Sequence, residues 1–231
     1  MSRALSRLSL YICRALFMYG LKPLRMGSTI VLAAHLALVY TLLRSPQLMA
    51  LPTAVLVTVY ALCGMTRALA YAYGLASIPG AWMAVTQIFI DMQRGLWRPW
   101  LYTSIFLRAS LGALHALYAI QTINVIELSY LLFKVSRTGA LMPLLVARGG
   151  VVLKELTEML AVHGLKGEPV WKSLAIAMLR SDEMAGLMEE GLWCKRFRFV
   201  PRPMYSVKGL AMQISIVVSD VVSLVLFRWI H

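Results

Sequence analysis

Apolar residues run nearly unbroken along four stretches of the first half of the chain, at 27–43, 48–66, about 77–91 and Leu101–Ile120, and along a fifth near the end, at about 209–229. Crossing the hydrocarbon core of a bilayer takes about 20 apolar residues, or about 17 at the short end. The pattern therefore predicts about five transmembrane helices. The first two are separated by Arg44, Ser45, Pro46 and Gln47, a tight polar turn that makes them a helical hairpin. The third is short and begins near Pro79, and the fourth carries Arg108.

Between the fourth and fifth stretches the periodicity changes. From Val151 to Val162, Leu153, Leu156 and Leu160 mark one helical face, with Lys154, Glu155 and Glu158 on others. A break at His163–Pro169 follows. A second run then places Trp171, Leu174, Met178, Ala185, Met188 and Leu192 near heptad spacing, with Lys172, Asp182, Glu183, Glu189 and Glu190 elsewhere. Both amphipathic helices are expected to end at a glycine. At the start of the chain, Leu5, Leu8, Ile12, Leu16 and Tyr19 share a face and Arg3, Arg7 and Arg14 another, as in a helix lying in the membrane interface. An organellar transit peptide is the alternative for this acid-free, Arg-containing start. The predicted organisation is a basic amphipathic segment at 1–26, a four-span bundle at 27–120, a mostly extramembrane helical region at 121–207 and a last span at 208–231.

Composition reinforces this all-α, polytopic membrane reading: 60% of the 231 residues are hydrophobic, more than a soluble domain of that size buries. Charge then sets orientation. The net charge is +13, but the bases do not gather on one polar domain as nucleic-acid binding requires. Arg3, Arg7, Arg14, Lys22 and Arg25 precede the first span, and twelve more bases lie between Lys134 and Lys208, which suits anionic lipid headgroups on the cytoplasmic side of the plasma membrane. Eight of the 10 acids lie between Glu127 and Glu190, leaving the spans almost free of negative charge. An even number of spans between two basic regions gives a cytoplasmic N-terminus and insert, with Arg94 and Arg98, flanked by Trp97 and Trp100, on the opposite side.

Candidate chemistry is sparse. No phosphate-cradling G-x-x-x-x-G-K-[ST] loop, zinc-binding H-E-x-x-H or G-x-S-x-G nucleophile elbow occurs, and no cofactor is implied. A non-catalytic chain is expected. Cys13, Cys63 and Cys194 are scattered and read as free thiols. Intramembrane ionisable groups are functional candidates, and here they are His35, Arg67, Arg108, His115 and Asp220. Arg108 and His115, seven apart, share a helix face and could line a polar path. The competing expectation is that these groups pair with one another, with Asp220 or with backbone carbonyls.

The order of segments resembles a known family. "LKPLRMGSTIVLAAHLALVYTLL" is similar to the start of the transmembrane T component of energy-coupling factor transporters, the family that includes the cobalt and nickel permease subunit. "LRASLGALHALYAIQTINVIELSYLLFKV" resembles its arginine-bearing span and the helix that follows, and "SLAIAMLRSDEMAGLMEEGLW" its second coupling helix. The resemblance implies a subunit that hydrolyses nothing itself and passes movement from cytoplasmic P-loop ATPases to a small substrate-binding membrane subunit, importing a vitamin or metal ion. In that family two Ala-Arg-Gly motifs end the coupling helices. This chain has Val162-His163-Gly164 at the first site and Glu190-Gly191-Leu192 at the second, so both arginines are missing, and the Ala147-Arg148-Gly149 triplet precedes the first coupling helix. The implied partner-binding residues are His163 and Gly164, then Met188, Glu189, Glu190, Gly191 and Trp193, with Lys195 and Arg196 as replacement cations. The alternatives are a helical membrane scaffold without ATPase coupling, or a secondary transporter using Arg108, His115 and Asp220.

Overall fold

Apolar runs become helices only where something stops and starts them, and the stops differ from the simple hydropathy boundaries. The computed structural model describes residues 27–136 and 202–230, together with Lys172, Ala175, Ile176, Leu179, Asp182, Glu183, Gly186, Leu187 and Glu190. These residues form helices and connecting turns, with no strand among them. The helices are α1 (Thr29–Leu42), α2 (Ala50–Leu62, preceded by a 3-10 turn at Pro46–Met49), α3 (Thr66–Gln93), α4 (Pro99–Thr122), α5 (Val125–Phe133) and α6 (Val207–Ile230).

Three of these, α3, α4 and α6, are long and apolar enough to cross a membrane. At 1.5 Å per residue, α1 measures only about 21 Å against a hydrocarbon core of about 30 Å. The expected pair of full spans at 27–43 and 48–66 is thus a pair of shorter helices. Their ends explain why. Ser28, in extended backbone, caps α1 by accepting the Ile30 N–H at 3.2 Å. Gly64, at φ +70, closes α2 in the left-handed conformation, with Met65 N donating to the Tyr60 carbonyl and Gly64 N to that of Ala61, both at 2.9 Å.

The third span is corrected in the other direction. The sequence places it at about 77–91, opening near Pro79, but α3 begins at Thr66 and passes through Pro79 for 28 residues. Pro79 lies on the exposed side of the helix, away from the face packed on α4. On the opposite side Ala68, Ala72, Ala76, Gly80 and Ala84 recur at every fourth position and are buried. A stripe of small residues lets two backbones approach closely, and this one packs α3 against α4. A β-carbon on Gly80 would overlap Ser110 Oγ and lie 2.7 Å from the Phe106 carbonyl oxygen.

The chain divides into two compact units: Met18–Asn124 with Tyr205–His231, and Met1–Phe17 with Val125–Met204. In the first unit α1 and α2 pack against α6, and α1 also packs against α4. Val39, Leu42 and Met49 form its core near the α1–α2 turn, joined by Leu43, Leu48, Leu111 and Leu224. The outer faces stay apolar, with Trp82 and Trp100 more than 70% exposed alongside Tyr40, Val57, Phe89 and Val221. Apolar surface outside and polar groups inside are the arrangement of a helical membrane protein. In the second unit, α5 carries Glu127 in its first turn, where the helix dipole favours an acid, and Lys134 Nζ lies 5.0 Å from the Tyr130 ring centroid. The described residues between Lys172 and Glu190 are helical, and Leu179, Asp182, Glu183, Leu187 and Glu190 are exposed.

Candidate functional site

Three helices of the membrane unit, α1, α4 and α6, carry ionisable residues in the faces they bury. On α1 the buried positions are Leu32, His35, Val39 and Leu42, so His35 occupies a core position. On α6 they include Gln213, Ile216, Ser219, Asp220 and Ser223. On α4, His115, Tyr118 and Gln121 lie among Leu114, Leu117 and Ala119. Packing these faces together makes the polar residues meet.

They meet as a chain. Asp220 Oδ2 lies 2.6 Å from His35 Nδ1, His35 Nε2 lies 3.1 Å from His115 Nδ1, and His115 Nε2 lies 3.3 Å from Thr53 Oγ1 on α2. Asp220 and His115 are 0% exposed and His35 1%, while Thr53 is partly exposed. The two imidazole rings sit 5.1 Å apart, and Tyr118 places its ring edge-on to His35 at 5.9 Å. Tyr118 in turn abuts Tyr60 at 6.1 Å, whose hydroxyl donates to Gln121 Oε1 at 2.5 Å. Four helices thus contribute to one internal polar path. An ion left unpaired in such a place costs several kcal/mol, so the contacts are a condition of the fold.

Two further polar ties hold the unit. Near the start of α1, the Ser28 N–H donates to Gln213 Oε1 at 2.7 Å and Asn124 Nδ2 to the Gly27 carbonyl at 2.9 Å, and a β-carbon on Gly27 would overlap the Gln213 amide. At the α3–α4 turn, fully buried Asp91 accepts from Arg98 Nη2 at 2.7 Å, Arg98 Nε at 3.2 Å and Gln87 Nε2 at 3.0 Å. That bidentate pair raises the Arg98 guanidinium above its ordinary pKa. Arg98 therefore has a specific partner besides the flanking tryptophans. Gly95, at φ +66, closes α3 as Gly64 closes α2.

The sequence candidates separate accordingly. His35, His115 and Asp220 come together. Arg108 does not join them: it is exposed and lines a cleft of about 300 Å³ with Ser45, Gln47, Trp100, Thr103 and Ser104, although it shares α4 with His115. Arg67 is exposed in the first turn of α3, at a helix end. Glu190 is helical and exposed, whereas His163, Gly164, Met188, Glu189, Gly191, Trp193, Lys195 and Arg196 lie outside the described residues. Cys63 is a free thiol. Thr53, Tyr60, Tyr118, Gln121 and Gln213 were not foreseen. The available signal was the near-heptad recurrence of Gln213, Asp220 and Ser223 in an otherwise apolar segment.

Among the described residues, no three His, Cys, Asp or Glu side chains are grouped to hold a metal ion. In the polar chain the imidazole nitrogens face each other and the carboxylate in series and do not converge on a point. Searches against protein-family models, curated proteins and solved structures found no match to this chain.

Proposed function

We propose that this chain is the integral membrane coupling subunit of an ATP-driven importer of the energy-coupling factor type. In this reading it carries no ATPase chemistry of its own and transmits movement from cytoplasmic P-loop ATPases to a small substrate-binding membrane subunit that takes a vitamin or a metal ion. The observation that carries the proposal is the division of the chain: a second compact unit, Val125–Met204 with Met1–Phe17, is inserted between the membrane helices α4 and α6 and presents a helical surface with Asp182, Glu183 and Glu190 exposed. The segment order and the "SDEMAGLMEEGLW" pattern support the same reading. The plasma membrane and a cytoplasmic N-terminus belong to it.

With no arginine at either helix end, docking relies on the apolar anchors Met188 and Trp193, on Lys195 and Arg196, and on partner bases facing Glu189 and Glu190. His163 and Gly164, placed by the resemblance at the first motif site, would add a secondary contact. The test is capture of the cognate ATPases by the purified chain in detergent at low and moderate salt. Trp193→Ala is expected to weaken capture about 30-fold, corresponding to roughly 2 kcal/mol for a desolvated aromatic anchor, and His163→Ala by less. A folded wild type that captures no ATPase overturns the proposal in favour of a membrane scaffold.

A further inference from the structure

Counting protons along the buried chain gives a result that its distances alone do not. Each contact needs one hydrogen, and each neutral imidazole supplies one donor and one acceptor. With Asp220 ionised and both rings neutral, His35 Nδ1–H donates to Asp220 Oδ2, His115 Nδ1–H donates to His35 Nε2, and Thr53 Oγ–H donates to His115 Nε2. All three contacts are satisfied, with every donor pointing toward Asp220.

One added proton satisfies them equally well in the opposite sense. A proton arriving at His115 Nε2 releases the Nδ1 proton to His35 Nε2, and His35 passes its Nδ1 proton to Asp220 Oδ2. The chain then reads Asp220 O–H to His35 Nδ1, His35 Nε2–H to His115 Nδ1, and His115 Nε2–H to Thr53 Oγ1. One proton has entered, two have hopped between rings and carboxyl, and no group has lost its partner. The loaded chain is also neutral overall, whereas the unloaded one leaves a negative charge inside the bundle.

We infer that Thr53, His115, His35 and Asp220 form a proton-binding relay, with Thr53 at its entry and Asp220 as the acceptor. A second observation points to the same end of the chain. Asp220 Oδ1 is buried and has no hydrogen-bond partner among the described residues, so the carboxyl offers an oxygen that the packing itself does not use. Thr53, the partly exposed member, lies in the first turn of α2, where a proton donor can reach it. The other titratable groups nearby are Tyr60 on α2, Cys63 just past the end of α2 and Tyr118 on α4, and Arg108, two turns from His115, is exposed in the separate cleft. This inference stands independently of the coupling role.

The test uses the purified full chain in detergent. With histidine labelled in ¹⁵N, and His163 and His231 assigned by substitution with Gln, His115 is expected to exchange its Nδ1–H form for its Nε2–H form on acidification. In lightly buffered solution the wild type is expected to take up one more proton per chain than Asp220→Asn. His115→Gln is expected to retain that uptake but slow it roughly hundredfold, a typical contribution of a positioned proton-transfer group. If Asp220→Asn does not fold, the ring measurement on the wild type decides alone. Rings that keep one tautomer throughout the folded pH range, or uptake at the wild-type rate in His115→Gln, overturn the relay.

Discussion

Replacing Gly80 by alanine tests how tightly α3 and α4 are joined, because two effects of similar size oppose each other. Glycine inside a helix is less favourable than alanine by about 1 kcal/mol, so at a slack position the substitution stabilises. At Gly80 the new methyl group meets Ser110 Oγ and lies 2.7 Å from the Phe106 carbonyl oxygen, with Ser110 N at 3.2 Å. Two of these neighbours are backbone atoms of α4 and cannot rotate away. Overpacking costs about 1–3 kcal/mol, and contact with backbone places this site toward the upper end. The net expectation is a loss of about 1–2 kcal/mol, or roughly 2–8 °C at about 2–4 °C per kcal/mol for a chain of this length. The assay is the fraction of folded protein remaining after heating in detergent, read by size-exclusion chromatography. Ala81→Leu, on an exposed position of the same turn, serves as the control and is expected to change little. Adding Ser110→Gly to Gly80→Ala should recover only part of the loss, since the Phe106 carbonyl stays in place. A Gly80→Ala protein as stable as the wild type, or more so, would show that the close approach is absent and refute the packing argument.

At the α3–α4 turn, Arg98→Lys keeps the charge beside Asp91 but loses the two-pronged geometry, so it is expected to open the turn to proteolysis more than Arg94→Lys does. Asp91→Ala should do so more strongly still, because it removes the acceptor of three side-chain hydrogen bonds. The proposed orientation is checked with single-cysteine variants in intact cells. A cysteine at position 46 is expected to react with an impermeant reagent, while Cys194 reacts only after permeabilisation, and labelling of Cys194 from outside would overturn the orientation.

The helical membrane character was legible because apolar content and segment length report directly on what can be buried in lipid. The helix ends were less so. Gly64 is an ordinary residue in a hydropathy profile, yet its left-handed backbone ends α2 before the apolar run does, and Pro79, which reads as a beginning, sits within α3 on its exposed side. The polar candidates divided for a related reason. Periodicity shows which face of a helix is buried but not which faces meet, and His35 and Asp220 are 185 positions apart. Arg108 and His115 share a helix, a relation visible in the sequence, yet one faces an open cleft and the other the interior.

The internal chain also bears on how the bundle keeps its arrangement. Apolar side chains interact with lipid about as well as with one another, so leucine and valine faces specify the rotation of a membrane helix only weakly. A carboxyl and two imidazoles with contacts of 2.6 and 3.1 Å specify it strongly, because turning α6 by one position would leave Asp220 inside without His35. His35 is the central link: it holds α6 through Asp220 and α4 through His115. Along the sequence, α4 is the membrane helix that precedes the inserted unit and α6 the one that follows it. In the proposed coupling role, the two helices joined to the insert along the chain are therefore the ones that carry His115 and Asp220. In that role, movement of α6 relative to α4 would draw directly on the Asp220–His35 and His35–His115 contacts, which tie both helices to α1.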